Sequence, residues 1–218
     1  GINNLIEGYL PTENIKFRNN KIQFNVYSPP ELNKETPSVI EYDEFSKTYD
    51  NFNLKVSSGK ILQGQVLGII GGNALGKTTF MKILSGIEKS DQDNIETKIK
   101  ISYKPQYLDS NYSDNVRNLL YSQGSRIEDE TFNNEIILPL SINKIFEKNV
   151  NTLSTGELQK VAIAICLMKD ADIYALDEPS AFIDVEDRIV LARSVQKFIK
   201  SNNKSAIIID HDIQLIDI

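Results

Sequence analysis

Along the chain, short stretches of alternating apolar and polar residues give way to continuous apolar runs, and then to segments whose apolar positions recur every three or four residues. Ile22, Phe24 and Val26 alternate with Gln23 and Asn25, which predicts a half-buried strand stopped by Pro29-Pro30. Residues 39–45 predict a second strand, and Phe52, Leu54 and Val56 a third, closed by Ser57-Ser58-Gly59. Together they read as an antiparallel sheet. The run Val66-Leu67-Gly68-Ile69-Ile70 reads as a buried strand, and Thr79-Phe80-Met81-Lys82-Ile83-Leu84 as a helix ended by Gly86. Residues 99–104 predict another strand, ended at Pro105. Between 107 and 152 the period changes. Val116, Leu119, Leu120, then Ile136, Ile137, Leu140, then Ile142, Ile145 and Phe146 fall at helical spacing between Asn- and Ser-rich turns, which predicts a small helical insert. Apolar positions 158, 161, 162, 165 and 166 mark one face of a helix that Ser154 caps, with Glu157 completing a capping box. Ile173-Tyr174-Ala175-Leu176 and Ala206-Ile207-Ile208-Ile209 predict two more buried strands. A helix over 185–200 separates them, with Ile189, Ala192, Val195 and Ile199 inward. The whole reads as an α/β fold. Residues 1–20 read as a polar linker, and no internal repeat appears.

Composition narrows the classes. The 218 residues suit one large domain or a domain with a subdomain, and 40% apolar with 25% charged residues is ordinary for a soluble globular chain. No apolar run reaches the ~18 residues of a membrane span, and residues 1–30 carry no signal-peptide pattern, so a cytoplasmic location is expected. Cys166, the single cysteine, closes no intramolecular disulfide and builds no zinc or iron–sulfur site alone; its apolar surroundings make it a core group. A net charge of −6 argues against nonspecific nucleic-acid binding through the whole surface, though a local basic patch remains open.

The candidate chemistry begins where the first buried strand hands over to a helix. The stretch there runs Gly71, Gly72, Asn73, Ala74, Leu75, Gly76, Lys77, Thr78 and Thr79. Its glycines let successive N–H groups turn toward phosphate oxygens, and the helix adds the positive end of its dipole. Lys77 can reach the β- and γ-phosphates, and the Thr78 hydroxyl can hold magnesium. Upstream, Tyr49 or Phe52 can offer an aromatic face to adenine. Gln106 can place its amide oxygen on a metal and report a γ-phosphate; alone it would be a solvated loop residue. Asp177-Glu178 ends a strand at the rim where parallel sheets bind ligands; Asp177 suits magnesium and Glu178 suits polarising an attacking water. Their bland reading is an acidic turn before Pro179. Ser154, Thr155, Gly156 and Glu157 form either a well-capped core helix or an anion site for a phosphate delivered by another subunit. His211 shares the rim with Asp177 and Lys77, where it can donate to a γ-phosphate oxygen.

With these pieces in this order, most of residues 39–218 resembles an ATP-binding-cassette (ABC) nucleotide-binding domain. The resemblance implies a RecA-like P-loop core with an antiparallel β subdomain and a helical subdomain. It makes 1–218 one domain, with 1–106 and 166–218 as β subdomain and core and 107–165 as the helical part. By it, residues 71–78 are the Walker A loop, Gln106 the Q-loop glutamine, residues 153–159 the signature and Ile173–Asp177 Walker B. Glu178 is the catalytic glutamate, Asp184 belongs to the D-loop and His211 is the switch histidine. ATP and Mg2+ are the implied cofactors, the metal held by Thr78, Gln106 and Asp177, and hydrolysis relies on Lys77, Glu178 and His211. In such domains each ATP lies between one cassette's Walker A and the other's signature.

A narrower resemblance rests on Gly8-Tyr9-Leu10-Pro11-Thr12-Glu13-Asn14 with Phe17-Arg18, on residues 154–161, and on residues 177–184. These are similar to the second cassette of the subfamily E ribosome-recycling ATPases, the RNase L inhibitor family. There two cassettes joined by hinges follow an iron–sulfur domain and split ribosomes into subunits. The implication is a single-cassette fragment, stopping short of the downstream hinge, with no iron–sulfur cluster of its own. Its implied partners are a second cassette, head-to-tail in the parent chain or as a homodimer, and the small ribosomal subunit through the full-length protein, with no membrane partner. Two positions depart from the pattern. Thr155 stands where the signature usually has Gly, and its side chain narrows the partner's phosphate seat; Ala74 stands where a second loop glycine is common. A transporter cassette shares the broad motifs, and a non-hydrolysing nucleotide-gated clamp would follow if Thr155 disabled closure. Residues 107–152 are too short for the coiled-coil insertion of a DNA-repair ATPase.

Overall fold

The computed structural model describes residues 36–92, 99–104 and 112–211, with the backbone of Tyr9–Leu10 and Ile15–Lys16. The chain divides into two compact units, Gly1–Thr36 and Pro37–Ile218. In the first, β1 (Tyr9–Leu10) and β2 (Ile15–Lys16) pair antiparallel, so the expected linker contains two short paired strands. The strand expected around Ile22, and Gln106, lie outside the described residues.

The second unit is built on a four-stranded parallel sheet ordered β7 (Val66–Ile69), β10 (Ser205–Ile209), β9 (Ile173–Asp177), β8 (Ile101–Lys104). Every residue of β9 and β10 is buried. Tyr174, Leu176, Ala206 and Ile208 enter one core, and their neighbours Ile173, Ala175, Ile207 and Ile209 enter another on the opposite face. Two covered faces explain why these strands read as unbroken apolar runs. Helix α1 (Lys77–Leu84) buries Met81, Ile83 and Leu84 in the second core. The first core takes α3 (Thr155–Met168), α4 (Val185–Ser201) and the helical insert, which opens with α2 (Val116–Gln123).

Several expectations are corrected in detail. Residues 39–45 are not one strand: the chain breaks at the exposed pair Asp43-Glu44, giving β3 (Ser38–Tyr42) and β4 (Phe45–Tyr49). Gly59 does not close a strand but opens β6 (Gly59–Leu62), which buries Ile61 and Leu62 and pairs with β3; β4 pairs with β5 (Phe52–Val56) across a turn at Asp50-Asn51. The expected antiparallel sheet is therefore two separate ladders of two strands. In α4, Ile189 is exposed, because burial starts only at Leu191 and the first turns lie outside the core. Helix α3 is buried on most sides, not along one stripe: Val161, Ala162, Ile163, Ala164 and Cys166 are all inside. There Ser102 Oγ donates to the Cys166 carbonyl at 2.8 Å, and burial pushes the Cys166 thiol up to about 11, which suits a structural thiol. No helix among the described residues is long and apolar enough to cross a membrane.

Candidate functional site

Strand register builds the site. Ile209 of β10 lies level with Ile69 of β7 and with Asp177 of β9, so the loop after β7, the Asp177-Glu178 pair and Asp210-His211 leave the sheet along one carboxyl edge. That edge is where the chain changes from extended to helical backbone. Gly76 (φ 89°) turns left-handed at the start of α1, and its hydrogen sits where a Cβ would come within 2.9 Å of both Leu54 Cδ1 and Phe52 Cζ. Ala74 also has positive φ (61°), the conformation in which a glycine would be unstrained. Lys77 Nζ lies across the loop, donating to the carbonyls of Gly71 (2.8 Å) and Gly72 (2.7 Å).

Phe52 is enclosed between Gly76 and Tyr49, whose ring stacks on it at 6.4 Å and 26°. Tyr49 is exposed and its hydroxyl donates to Glu88; that bond, with a little burial, raises the Tyr49 phenol pKa. Of the two aromatics, Tyr49 is the more exposed, with the Lys47 ammonium over its ring at 5.7 Å.

The acidic rim is less solvated than its sequence suggests. Asp177 is buried, with Oδ2 accepting from the Tyr103 hydroxyl at 3.2 Å; burial first, then the Asp177 charge, drives the Tyr103 phenol far up. Asp177 Oδ1 is buried with no hydrogen-bond partner. An orphaned buried acceptor costs about 1–3 kcal/mol, more for a charged group, and a hard cation with oxygen ligands would satisfy it. The unpartnered Asp177 Oδ1 thus fits Mg2+. Among the described residues no cluster of three or more His, Cys, Asp or Glu is placed to hold a metal, so such an ion would also need hydroxyl, amide and phosphate oxygens. Beneath the rim, the fully buried Lys104 donates to the Asp177 carbonyl at 2.9 Å. Desolvation pulls its ammonium pKa down to about 8, against the opposing charges of Asp177, Cys166, Glu178 and Asp210.

Glu178 follows with φ 46°, its N–H donating to the Ile209 carbonyl at 2.8 Å and its own carbonyl accepting from Gln159 Nε2 at 2.7 Å. Its carboxylate Oε1 lies 3.5 Å from His211 Nε2. Asp210, buried, accepts from the Ser180 N–H (3.0 Å) and hydroxyl (2.7 Å), which fixes the turn after Glu178 to the end of β10. The result is a cleft of about 360 Å3 lined by Glu178, Ser180, Ala181, Arg188, Asp210 and His211.

The capping box at α3 is complete. Ser154 Oγ accepts from the Glu157 N–H at 3.2 Å and Glu157 Oε2 accepts from the Ser154 N–H at 2.9 Å. Lys148, 2.8 Å from Glu157 Oε1, is the main cause holding the Glu157 carboxyl below its usual range. Thr155 is exposed on the first turn, and Asp184 starts α4 without a side-chain cap bond. Gly156 packs on the loop after β9 so closely that a Cβ would lie 2.7 Å from the Phe182 carbonyl oxygen. Sequence reasoning assigns no role to Lys104 or Asp210, and gives Gln159 none beyond its place in the signature stretch. A glutamine in a capped helix and a lysine in a half-polar strand read as solvated, and only the burial of their partners shows otherwise.

A phosphate loop and a strand-end acidic pair, braced from behind by a capped helix turn, define an ABC nucleotide-binding domain. A family model described as "ABC transporter" matches residues 54–181. An uncharacterised ABC transporter ATP-binding protein of Methanocaldococcus jannaschii is 43% identical over the whole chain and 36% of its own length. Translation initiation factor RLI1 of Saccharomyces cerevisiae is 36% identical over 97% of the chain and 35% of its own length. Among solved structures, the archaeal ribosome recycling factor aABCE1, in complex with the ribosomal stalk protein aP1, superposes with a TM-score of 0.83 at 40% identity, over all of this chain and 42% of that one. The chain therefore belongs to the ABC family, with homologues that include RNase L inhibitor proteins. It spans little more than a third of the length of these curated relatives.

Proposed function

We propose that the chain binds and hydrolyses ATP as the second cassette of a ribosome-recycling ATPase acting in the cytoplasm. The observation that carries the enzymatic part is the level carboxyl edge, from which the loop of residues 71–78, Asp177 with its unpartnered Oδ1, and the Glu178–His211 pair all leave the sheet. Such a reaction is mostly positioning and electrostatics. Lys77 exchanges its two loop carbonyls for phosphate oxygens, and the amides of residues 71–78 cradle the rest. Mg2+, when held by Thr78, Asp177 and Gln106, would neutralise phosphate charge. Glu178 orients and polarises the water that forms the new bond to the γ-phosphorus while the bridging bond to the β-phosphate breaks. His211 hydrogen-bonds the γ-phosphate and steadies the Glu178 carboxylate. Ser154, Thr155, Gly156 and Glu157, with Asp184, face the nucleotide of a head-to-tail partner cassette, so the chain alone binds ATP but turns over slowly.

The ribosomal part is supported by relatives that match the chain almost end to end and are named as translation and ribosome-recycling factors. Glu178→Gln is expected to retain ATP binding, measured by titration with a fluorescent analogue, and to lose phosphate release; equal release by both forms would refute the assignment. In the same preparation, cosedimentation of the parent protein with small ribosomal subunits on adding a nonhydrolysable ATP analogue supports the recycling role. Copurification with a membrane subunit would instead support the transporter reading.

A further inference from the structure

Among the buried polar side chains to which the reaction described above gives no task is Gln159. Gln159, in the second turn of α3, is only 5% exposed, and burying an amide there is unfavourable unless it is hydrogen-bonded. Its Nε2 finds the backbone carbonyl of Glu178 at 2.7 Å. Glu178 holds a left-handed φ of 46°, which a residue with a side chain seldom adopts unless its surroundings impose it. The surroundings do so from both sides: β10 takes the Glu178 N–H through the Ile209 carbonyl, and α3 takes the Glu178 carbonyl through Gln159. Two further contacts run from the start of α3 to the chain that follows Glu178, one to its loop and one to the first turn of α4. Gly156 abuts the Phe182 carbonyl, and Lys160 pairs with Asp187.

We propose that Gln159 is a positioning residue for hydrolysis: by gripping the Glu178 carbonyl it aims the Glu178 carboxylate at the nucleotide and ties it to the helix turn that carries Ser154, Thr155 and Gly156. The inference rests on Glu178 being the group that polarises water. It gives one helix turn two duties, presenting an anion seat outward and bracing the chain's own reactive carboxylate inward. A displacement of that turn when a partner's phosphate seats is thereby passed to Glu178.

The test is steady-state ATP hydrolysis by the whole chain carrying Gln159→Met, which keeps the length of the side chain and removes the donor. Misplacing a reacting group by ~1 Å can cost ~100-fold, so kcat is expected to fall about 10-fold or more while the KM for ATP stays within about twofold. A kcat within twofold of the parent, or a loss that appears equally in nucleotide affinity, overturns the proposal. Gln159→Glu, which replaces the donor by a second acceptor, is expected to do at least as much and serves if the methionine variant does not fold. Ile163→Val loosens α3 without touching the Glu178 carbonyl; it is expected to lower the melting temperature and spare kcat. An equal kcat loss in Ile163→Val would reduce Gln159 to a packing residue. If Glu178→Gln still hydrolyses ATP, the underlying reading fails. If Glu178→Gln is silent while the Gln159 variants turn over normally, only the positioning role fails.

Discussion

Tyr49 is the residue at which the proposed base recognition is tested. Its ring is exposed, stacked against Phe52 with the Lys47 ammonium 5.7 Å from its centroid, and held by a hydroxyl bond to Glu88. Base–aromatic stacking is worth ~1–3 kcal/mol, so Tyr49→Ala is expected to weaken ATP binding about 5- to 150-fold. Tyr49→Phe keeps the ring and should stay within about threefold of the parent. Titration of both variants with a fluorescent ATP analogue checks this, and an unaltered affinity in Tyr49→Ala would remove Tyr49 from the base site. The sequence leaves Tyr49 and Phe52 equivalent because nothing local records that Phe52 packs on Gly76. Lys77, Asp177, Glu178 and His211 are readable for the opposite reason: each stands at a strand end or loop whose spacing is itself the signal. Lys104 is not, since a strand read in isolation does not reveal that the layers above it remove all water from one lysine.

At the scale of elements, the first turn of α3 makes a separable energetic statement. Losing a side-chain cap costs typically ~1 kcal/mol, so Ser154→Ala should lower the unfolding free energy by about that amount in urea denaturation. The pH dependence follows from Glu157, whose carboxyl is held down chiefly by Lys148. A depressed folded pKa gives stability that is present above the unfolded value of ~4.3 and is lost as pH falls through the folded value. The difference between the parent and Glu157→Gln should therefore be constant from pH 6 to 7 and shrink below about pH 4. A difference that persisted unchanged at low pH would detach the Glu157 charge from the cap. The Ser-x-x-Glu pattern makes this element legible from four consecutive residues, and the two β ladders show the contrary case. Ser57-Ser58-Gly59 has the composition of a turn, yet only Ser57 and Ser58 separate the strands and Gly59 already belongs to β6, whose partner β3 lies some twenty residues upstream and leaves no local mark.

For the molecule as a whole, the nucleotide is expected to act as a stabiliser, since the loop of residues 71–79, β9 and β10 would be joined through one ligand. Saturation at ~100 times Kd contributes about 2.7 kcal/mol, which for a domain of this size raises Tm by about 5–10 °C. Differential scanning fluorimetry with ATP and Mg2+ should show that rise, and chelating the metal should shrink it by leaving Asp177 Oδ1 without a partner. A rise unaffected by chelation would take the metal away from Asp177.

The tight approach of Gly156 to the Phe182 carbonyl changes how signature variants are to be interpreted. Any substitution at 156 must push away the loop that leads back to Glu178, so such a variant damages the subunit that carries it before it damages its neighbour. In the proposed head-to-tail pair, one altered copy at this position should therefore silence both proposed hydrolytic centres, whereas an altered Thr155, which is exposed, should silence one.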